Sequence, residues 1–386
     1  MAVNTNFYTT LNGLMSALNG GFAVVDYDTF VDSGKVLSSL AYTDLVNDFL
    51  TPLMNKVQKT IMDLPSYKGD LIDMYAGKLD YGVLEVLLMD KFYSMDASQF
   101  DGQTITHGQV YTGQFEVHMP SMDALYYTES NSWSKTITIR ATDLRGAFKT
   151  PEAMDKFISG IMQQVTNSLE FANETARYGV LDKMILSAYN ATANTTDETA
   201  VSQHYSLVTI FNSLYSTSLT AADALQNPVF VRFAIATIKD IAKLMEKPIN
   251  GFNGQSFQTF TRPEYCRLKI SSIFEKAITM SMVTAFNKED AQLGIPHETL
   301  PYWQVAQDGN VTQERLRIET AASGTSAPSE PIIAVLYDSR AIGEMIQMED
   351  VTNTRNELLR YTNYHFLANR MYWFNDHANA VVFTLE

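Results

Sequence analysis

A single cysteine, Cys266, stands in a chain of 386 residues, which excludes an intrachain disulfide framework and a thiolate zinc cluster. A reducing compartment suits such a chain. Positive charge is also scarce: 28 Lys and Arg against 43 Asp and Glu leave a net charge of −15. Phosphate contacts need clustered Lys and Arg, so a nucleic-acid groove covering most of the surface is excluded. No apolar run is long enough to cross a bilayer, and the N-terminal "MAVNTNFYTTLNGLMSALNGG" lacks a basic leader followed by an apolar stretch. The Asn-x-Thr sequons at Asn173, Asn190, Asn194 and Asn310 then read as accidents of a Thr- and Asn-rich composition.

Catalytic signatures are missing as well. There is no G-x-S-x-G and no G-x-G-x-x-G, and "DSGKVL" around Lys35 lacks the upstream glycine and the Ser or Thr of a phosphate-binding loop. The histidines at 107, 118, 204, 297, 365 and 377 never fall four apart, so no helical zinc pair exists. Asp376 beside His377 is the nearest approach to a catalytic pair, but neighbours on a strand point to opposite faces. Cys266, within an apolar strand, reads as a small buried hydrophobe. The 18 methionines read as core filler or adaptable interface. Catalytic, cofactor-binding and metal-binding residues are therefore all read as none.

Proline, by its absence, defines the largest element. None occurs between Pro151 and Pro228, and the stretch from 149 to 190 carries apolar residues at Met154, Phe157, Ile158, Ile161, Met162, Val165, Leu169, Ala172, Ala176, Val180, Met184 and Ile185. That three-and-four spacing predicts one long helix with a single buried stripe, capped by Thr150 with Pro151 in its first turn. Gly179 is its expected break, ahead of Gly160.

Around it, residues 1–62 read as an arm with short apolar clusters. Residues 65–120 carry aromatic and β-branched residues with turn signals at 101–108, the pattern of a long hairpin-like loop. A strand is expected over 135–140 with Ile137 and Ile139 on one face. Asn227 and Pro228 predict the cap and first turn of a helix ending before Pro248. A strand in "TRPEYCRLKI", a helix from Ser271, and strands in "PYWQV" and "PIIAVLYDSRAI" make an α/β lobe over 205–343, with 321–331 a loop by composition. The last forty residues, rich in strand-forming aromatics, are expected to return to the long helix.

Three stretches, taken in order, resemble a known family: "FEVHMPSMDALYY" with the following strand and "FISGIMQQVTNSLEFANETARYGVLDKMI"; "TRPEYCRLKISS" running to "TAFNKEDAQLG"; and "NYHFLANRMYWFNDHANAVVF". Spanning roughly 115–385, they are similar to the major capsid proteins of tailed bacteriophages, the Hong Kong 97-type fold, and nearest in pattern to phi-29-like short-tailed phages. The chain departs from the phi-29 pattern in ending at Glu386 without an appended immunoglobulin-like domain, so that module's decoration is not carried over.

The resemblance implies an α+β fold divided as N-arm 1–63, E-loop 64–122, peripheral domain with spine helix 123–204, axial domain 205–343 and C-terminal return 344–386. It implies no enzyme and no cofactor, but a subunit that assembles with itself as pentamers and hexamers into an icosahedral head. That head encloses double-stranded DNA without specific binding and is built in the host bacterial cytoplasm, away from any membrane. Scaffolding, portal and decoration proteins are the implied partners. The E-loop is expected to lie over a neighbouring subunit, with Tyr93, Phe100, Tyr111 and Phe115 as candidate contacts; pairing across their own hairpin is the open alternative. No cross-link is expected at Lys78 or Lys91. An acidic inner wall would let the duplex slide. An encapsulin-like nanocompartment shell of the same fold and a cytoplasmic enzyme with an unrecognised site are the alternative readings.

Overall fold

A computed structural model describes residues 66–71, 74–79, 84–89, 122–128, 130–140, 151–196, 200–283, 295–304, 316, 330–356, 358–359 and 361–386. In chain order the described strands are β1 (Tyr75–Lys78), β2 (Leu84–Met89), β3 (Met122–Tyr127), β4 (Asn131–Arg140), β5 (Ala193–Asn194), β6 (His204–Ser206), β7 (Cys266–Ser271), β8 (His297–Leu300), β9 (Ile332–Asp338), β10 (Ile342–Asn356), β11 (Tyr361–Phe374) and β12 (Ala380–Thr384). The described helices are α1 (Pro151–Tyr189), α2 (Leu207–Tyr215), α3 (Ala221–Ala224), α4 (Pro228–Met245) and α5 (Ser272–Val283). The chain forms two compact units: Met1–Asp70 with Ser130–Glu174 and Ile346–Arg370, and Leu71–Glu129 with Thr175–Met345 and Met371–Glu386.

The long helix forms as its proline-free sequence predicts, starting at Pro151 and running 39 residues, about 58 Å at 1.5 Å per residue. The expected break at Gly179 is absent, as is one at Gly160. A mid-helix glycine costs only about 1 kcal/mol relative to alanine, and around Gly179 the burial of Tyr178, Val180, Leu181, Met184 and Ile185 outweighs that. Thr150, the expected cap, lies outside the described residues, as do most of the loop at 321–331 and the turn signals at 101–108.

In the first unit, β11 pairs antiparallel with β4 over ten residues, Tyr361 opposite Arg140 through Arg370 opposite Asn131. Period-two alternation puts Ile137 and Ile139 toward the covered face, with Ile139 buried, while Thr136 and Thr138 stay exposed.

The second unit is built on a six-stranded mixed sheet, order β5-β6-β12-β9-β7-β8. Its central strands are apolar without a break because both faces are covered. On β9, Ile333, Ala334 and Leu336 join Val381 and Phe383 of β12 in a core with α2, α4 and α5. Ile332, Val335 and Tyr337 join Ala380 and Val382 in a second core with Tyr178, Leu181, Met184 and Ile185 of α1. Of the last forty residues, β12 thus packs on the long helix from the middle of this sheet, parallel to β6 and antiparallel to β9.

Helix α4 starts as read: the Asn227 side chain accepts from the Val229 and Phe230 backbone N–H groups, and Pro228 fills the first turn. The strand expected in "PYWQV" is not found over residues 301–304. Pro301 has no N–H to give a ladder, so β8 ends at Leu300. Trp303 instead inserts fully into the core, its indole N–H donating to the Ile332 carbonyl at 2.8 Å. Lys269 on β7 is fully buried and pairs with the Glu298 carboxylate opposite it on β8. The other oxygen of Glu298 accepts from the Leu71 backbone N–H at 2.9 Å.

Candidate lattice-contact surfaces

In the second unit β2 falls within the 65–120 stretch expected to be hairpin-like, and β3 follows that stretch. Strands β2 and β3 pair antiparallel from Leu84 opposite Tyr127 to Met89 opposite Met122. Leu79, Leu84 and Tyr127 pack on a small core of Met345, Met371 and Trp373, and the Tyr127 hydroxyl donates to the Phe374 carbonyl at 3.1 Å. Tyr126, on the other face, is 61% exposed and donates to Glu85 at 3.0 Å. That bond and the carboxylate's charge raise its phenol pKa. Tyr93, Phe100, Tyr111 and Phe115 fall on the segment between the two strands and lie outside the described residues.

In the first unit, residues 67–70 are strapped to the long helix. The Tyr67 hydroxyl donates to Glu174, whose other oxygen accepts from the Asp70 backbone N–H at 3.2 Å. The Tyr67 backbone N–H donates to Asn167 at 2.9 Å, and the Tyr67 and Phe171 rings lie 6.4 Å apart. Gly69 passes so close that a Cβ there would sit 2.9 Å from Glu174 Cβ. Sequence reading missed this strap, although polar Asn173 falls four positions after Leu169, where the buried stripe continues, and is itself buried.

The exposed side of the β4–β11 pair is polar, closely hydrogen-bonded, and ends at the exposed Arg140. Thr138 donates to Asn363 at 2.7 Å, and His365 bridges Thr136 at 2.9 Å and Thr354 of β10 at 2.8 Å through its two ring nitrogens. Strands β10 and β11 are neighbours, and between them Leu358 and Leu359 lie in a turn. They are the two most exposed large hydrophobic residues among those described, at 90% and 67%.

The residues weighed for catalysis do not assemble. Cys266 is buried, and burial with Asp338 nearby pushes its thiol up to about 11, away from the reactive thiolate. Asp376 and His377 lie in the turn after β11, and their side chains go to different partners. Asp376 accepts from Ser187 and Gln255, both at 2.8 Å, while the His377 ring meets Phe257 edge-on at 4.6 Å. Among the described residues no group of three or more His, Cys, Asp or Glu could hold a metal ion, and no helix is long and apolar enough to cross a membrane. The solvent side of α4 carries Arg232, Lys239 and Lys243 beside Asp240, and just past its end Glu246 pairs with Lys243 at 2.6 Å, with Lys247 following. Such a mixed face is no phosphate track.

Solved structures share the fold of this chain. One is the capsid structure of Staphylococcus phage Andhra, 8% identical, with a TM-score of 0.53 over 85% of this chain and 87% of that one. Another is the structure of head fiber and inner core protein gp22 of native bacteriophage P68, 10% identical, with a TM-score of 0.52 and the same coverage. No curated protein matches the chain. The fold is thus that of a tailed-phage capsid subunit of the Hong Kong 97 type. The family model for Phi29-like phage major capsid protein matches residues 21–384, and the chain belongs to that family. It is a structural protein of the virion, a major capsid subunit that assembles with its own copies into the head enclosing the phage DNA, and not an enzyme.

Proposed function

We propose that this chain is the repeating tile of an icosahedral head, forming both hexamers and pentamers through heterologous contacts that closed symmetry completes. The observation that carries this reading is the family match over residues 21–384. The division into N-arm (1–63), E-loop (64–122), peripheral domain (123–204), axial domain (205–343) and C-terminal return (344–386) goes with it. The antiparallel pairing of β2 with β3 supports reading the residues between them as a long loop closed at its base. That loop lies over a neighbouring copy, with Tyr93, Phe100, Tyr111 and Phe115 at the contact, and the N-arm crosses another.

A scaffolding protein, a portal and decoration proteins are the partners of such a tile in the bacterial cytoplasm where heads are built. The net charge of −15 supports an inner wall that repels DNA weakly and leaves it free to slide.

Negative-stain electron microscopy of the purified chain, expressed alone and with the small helical protein of a neighbouring gene, tests the reading. Uniform shells, or sheets and tubes of hexameric tiles, are expected. Small monodisperse particles under both conditions would refute it.

A further inference from the structure

The turn between β10 and β11 is built to hold two leucines in water. Within "TNTRNELLR", residues 352–360, Leu358 and Leu359 are the only apolar residues, in a turn where Gly, Asn or Asp is usual. They are held in place: the Asn356 side-chain oxygen accepts from the Leu359 backbone N–H at 2.9 Å, and its amide donates to the Tyr361 hydroxyl at 3.3 Å. Behind them stand strands of 15 and 14 residues, the second paired along ten of its residues to β4. An apolar pair on a stiff, closed tip has already lost the conformational entropy that docking would otherwise cost.

The size of the tip decides what covers it. Two leucines offer roughly 120–240 Å² of apolar area, well below the roughly 800 Å² per partner of a stable binary complex. A free soluble partner would not stay bound. In a shell the same small contact recurs at every copy and is presented in fixed geometry, so weak contacts add. Copies that each carry −15 also repel one another, and a contact between them gains from a tip whose flanking Glu357 and Arg360 cancel in formal charge.

We propose that Leu358 and Leu359 form an inter-subunit plug, seated on an apolar surface of a second copy of this chain in the assembled head. This rests on the shell reading above. The test compares the full-length wild type with Leu358→Ser/Leu359→Ser. Unassembled subunits of both should melt together, while the protein concentration needed for shells, read by sedimentation and electron microscopy, rises at least tenfold in the variant, since burial of one leucine is worth about that much. Assembly of the variant at the wild-type concentration would overturn the plug. Failure of the wild type itself to form shells would overturn the shell reading first.

A second measurement does not depend on lost assembly. With Cys266 buried as the only native cysteine, Leu358→Cys supplies a single accessible thiol. It should react quickly with a maleimide in free subunits and be protected in shells. Equal reactivity in the two states would overturn the plug. So would binding of free wild-type subunits to phosphatidylcholine vesicles that the double serine variant loses while still forming shells, because the leucines would then serve a lipid surface.

Discussion

Replacing Glu344 with alanine removes the carboxylate onto which Arg177 forks in the second unit. The pair is a two-bond fork: Arg177 Nε donates to Glu344 Oε2 at 3.1 Å and Nη2 donates to Oε1 at 2.9 Å. The side chains are only 9% and 7% exposed, so the guanidinium left behind has little water to turn to. Breaking a buried pair in this way costs about 3–5 kcal/mol, whereas replacing both partners with apolar residues of similar volume is often neutral or stabilising. At about 2–4 °C per kcal/mol for a unit of this size, Glu344→Ala should lower the melting temperature by about 6–20 °C. The double variant Arg177→Met/Glu344→Met should recover most of that loss. Thermal melts of unassembled subunits followed by near-ultraviolet circular dichroism, completed as a double-mutant cycle, measure the coupling. If the two single losses simply add in the double variant, the fork contributes no coupling and the reasoning fails.

Gly254→Ala places a Cβ 2.3 Å from Asp376 Oδ1, on a carboxylate already fixed by Ser187 and Gln255, and should cost about 1–3 kcal/mol in a urea titration. Asn227→Ala removes the cap of α4 and should cost about 1 kcal/mol by the same assay, with Asn227→Asp close to neutral. His204, held between the Tyr189 ring, Thr384 and Glu330, has its pKa lowered to about 4, chiefly by burial. A folded-state pKa below the unfolded value of about 6.5 means the unfolded chain binds the proton first, so stability should fall as pH drops from about 6.5 toward 4, by at most about 3 kcal/mol. Burial also raises the pKa of Glu330, which acts with the opposite sign and trims the loss. His204→Gln should flatten the pH dependence of the urea midpoint over that window, and an unchanged slope would remove His204 as its source.

Local rules were legible in the sequence where local chemistry decides the outcome. The proline gap, the Asn227–Pro228 cap and the alternation at Ile137 and Ile139 each rest on a few adjacent residues, and each appears in the structure. Where distant partners decide, the sequence was silent or misleading. Gly179 carries a helix-breaking propensity that burial of its neighbours overrides. "PYWQV" has strand composition, yet Pro301 and the core slot for Trp303 decide its path. The central place of β12 comes from pairing Val382 with His204 and Val335, far away along the chain. Glu174, Arg177 and Lys269 look like surface charges in one dimension and are buried by partners that no spacing rule supplies. The surface candidates divide in the same way: aromatic enrichment drew attention to Tyr93, Phe100, Tyr111 and Phe115, whereas the Leu358–Leu359 tip shows only once β10 and β11 are seen to flank it.

The most direct test of the central claim is the mass of what the purified chain forms. Sedimentation velocity of the wild type, alone and co-expressed with a candidate scaffolding protein, should resolve a multi-megadalton species together with ring-sized intermediates. A single boundary at the mass of one or two chains in both preparations, at every concentration tried, would contradict the assignment as a head-forming tile.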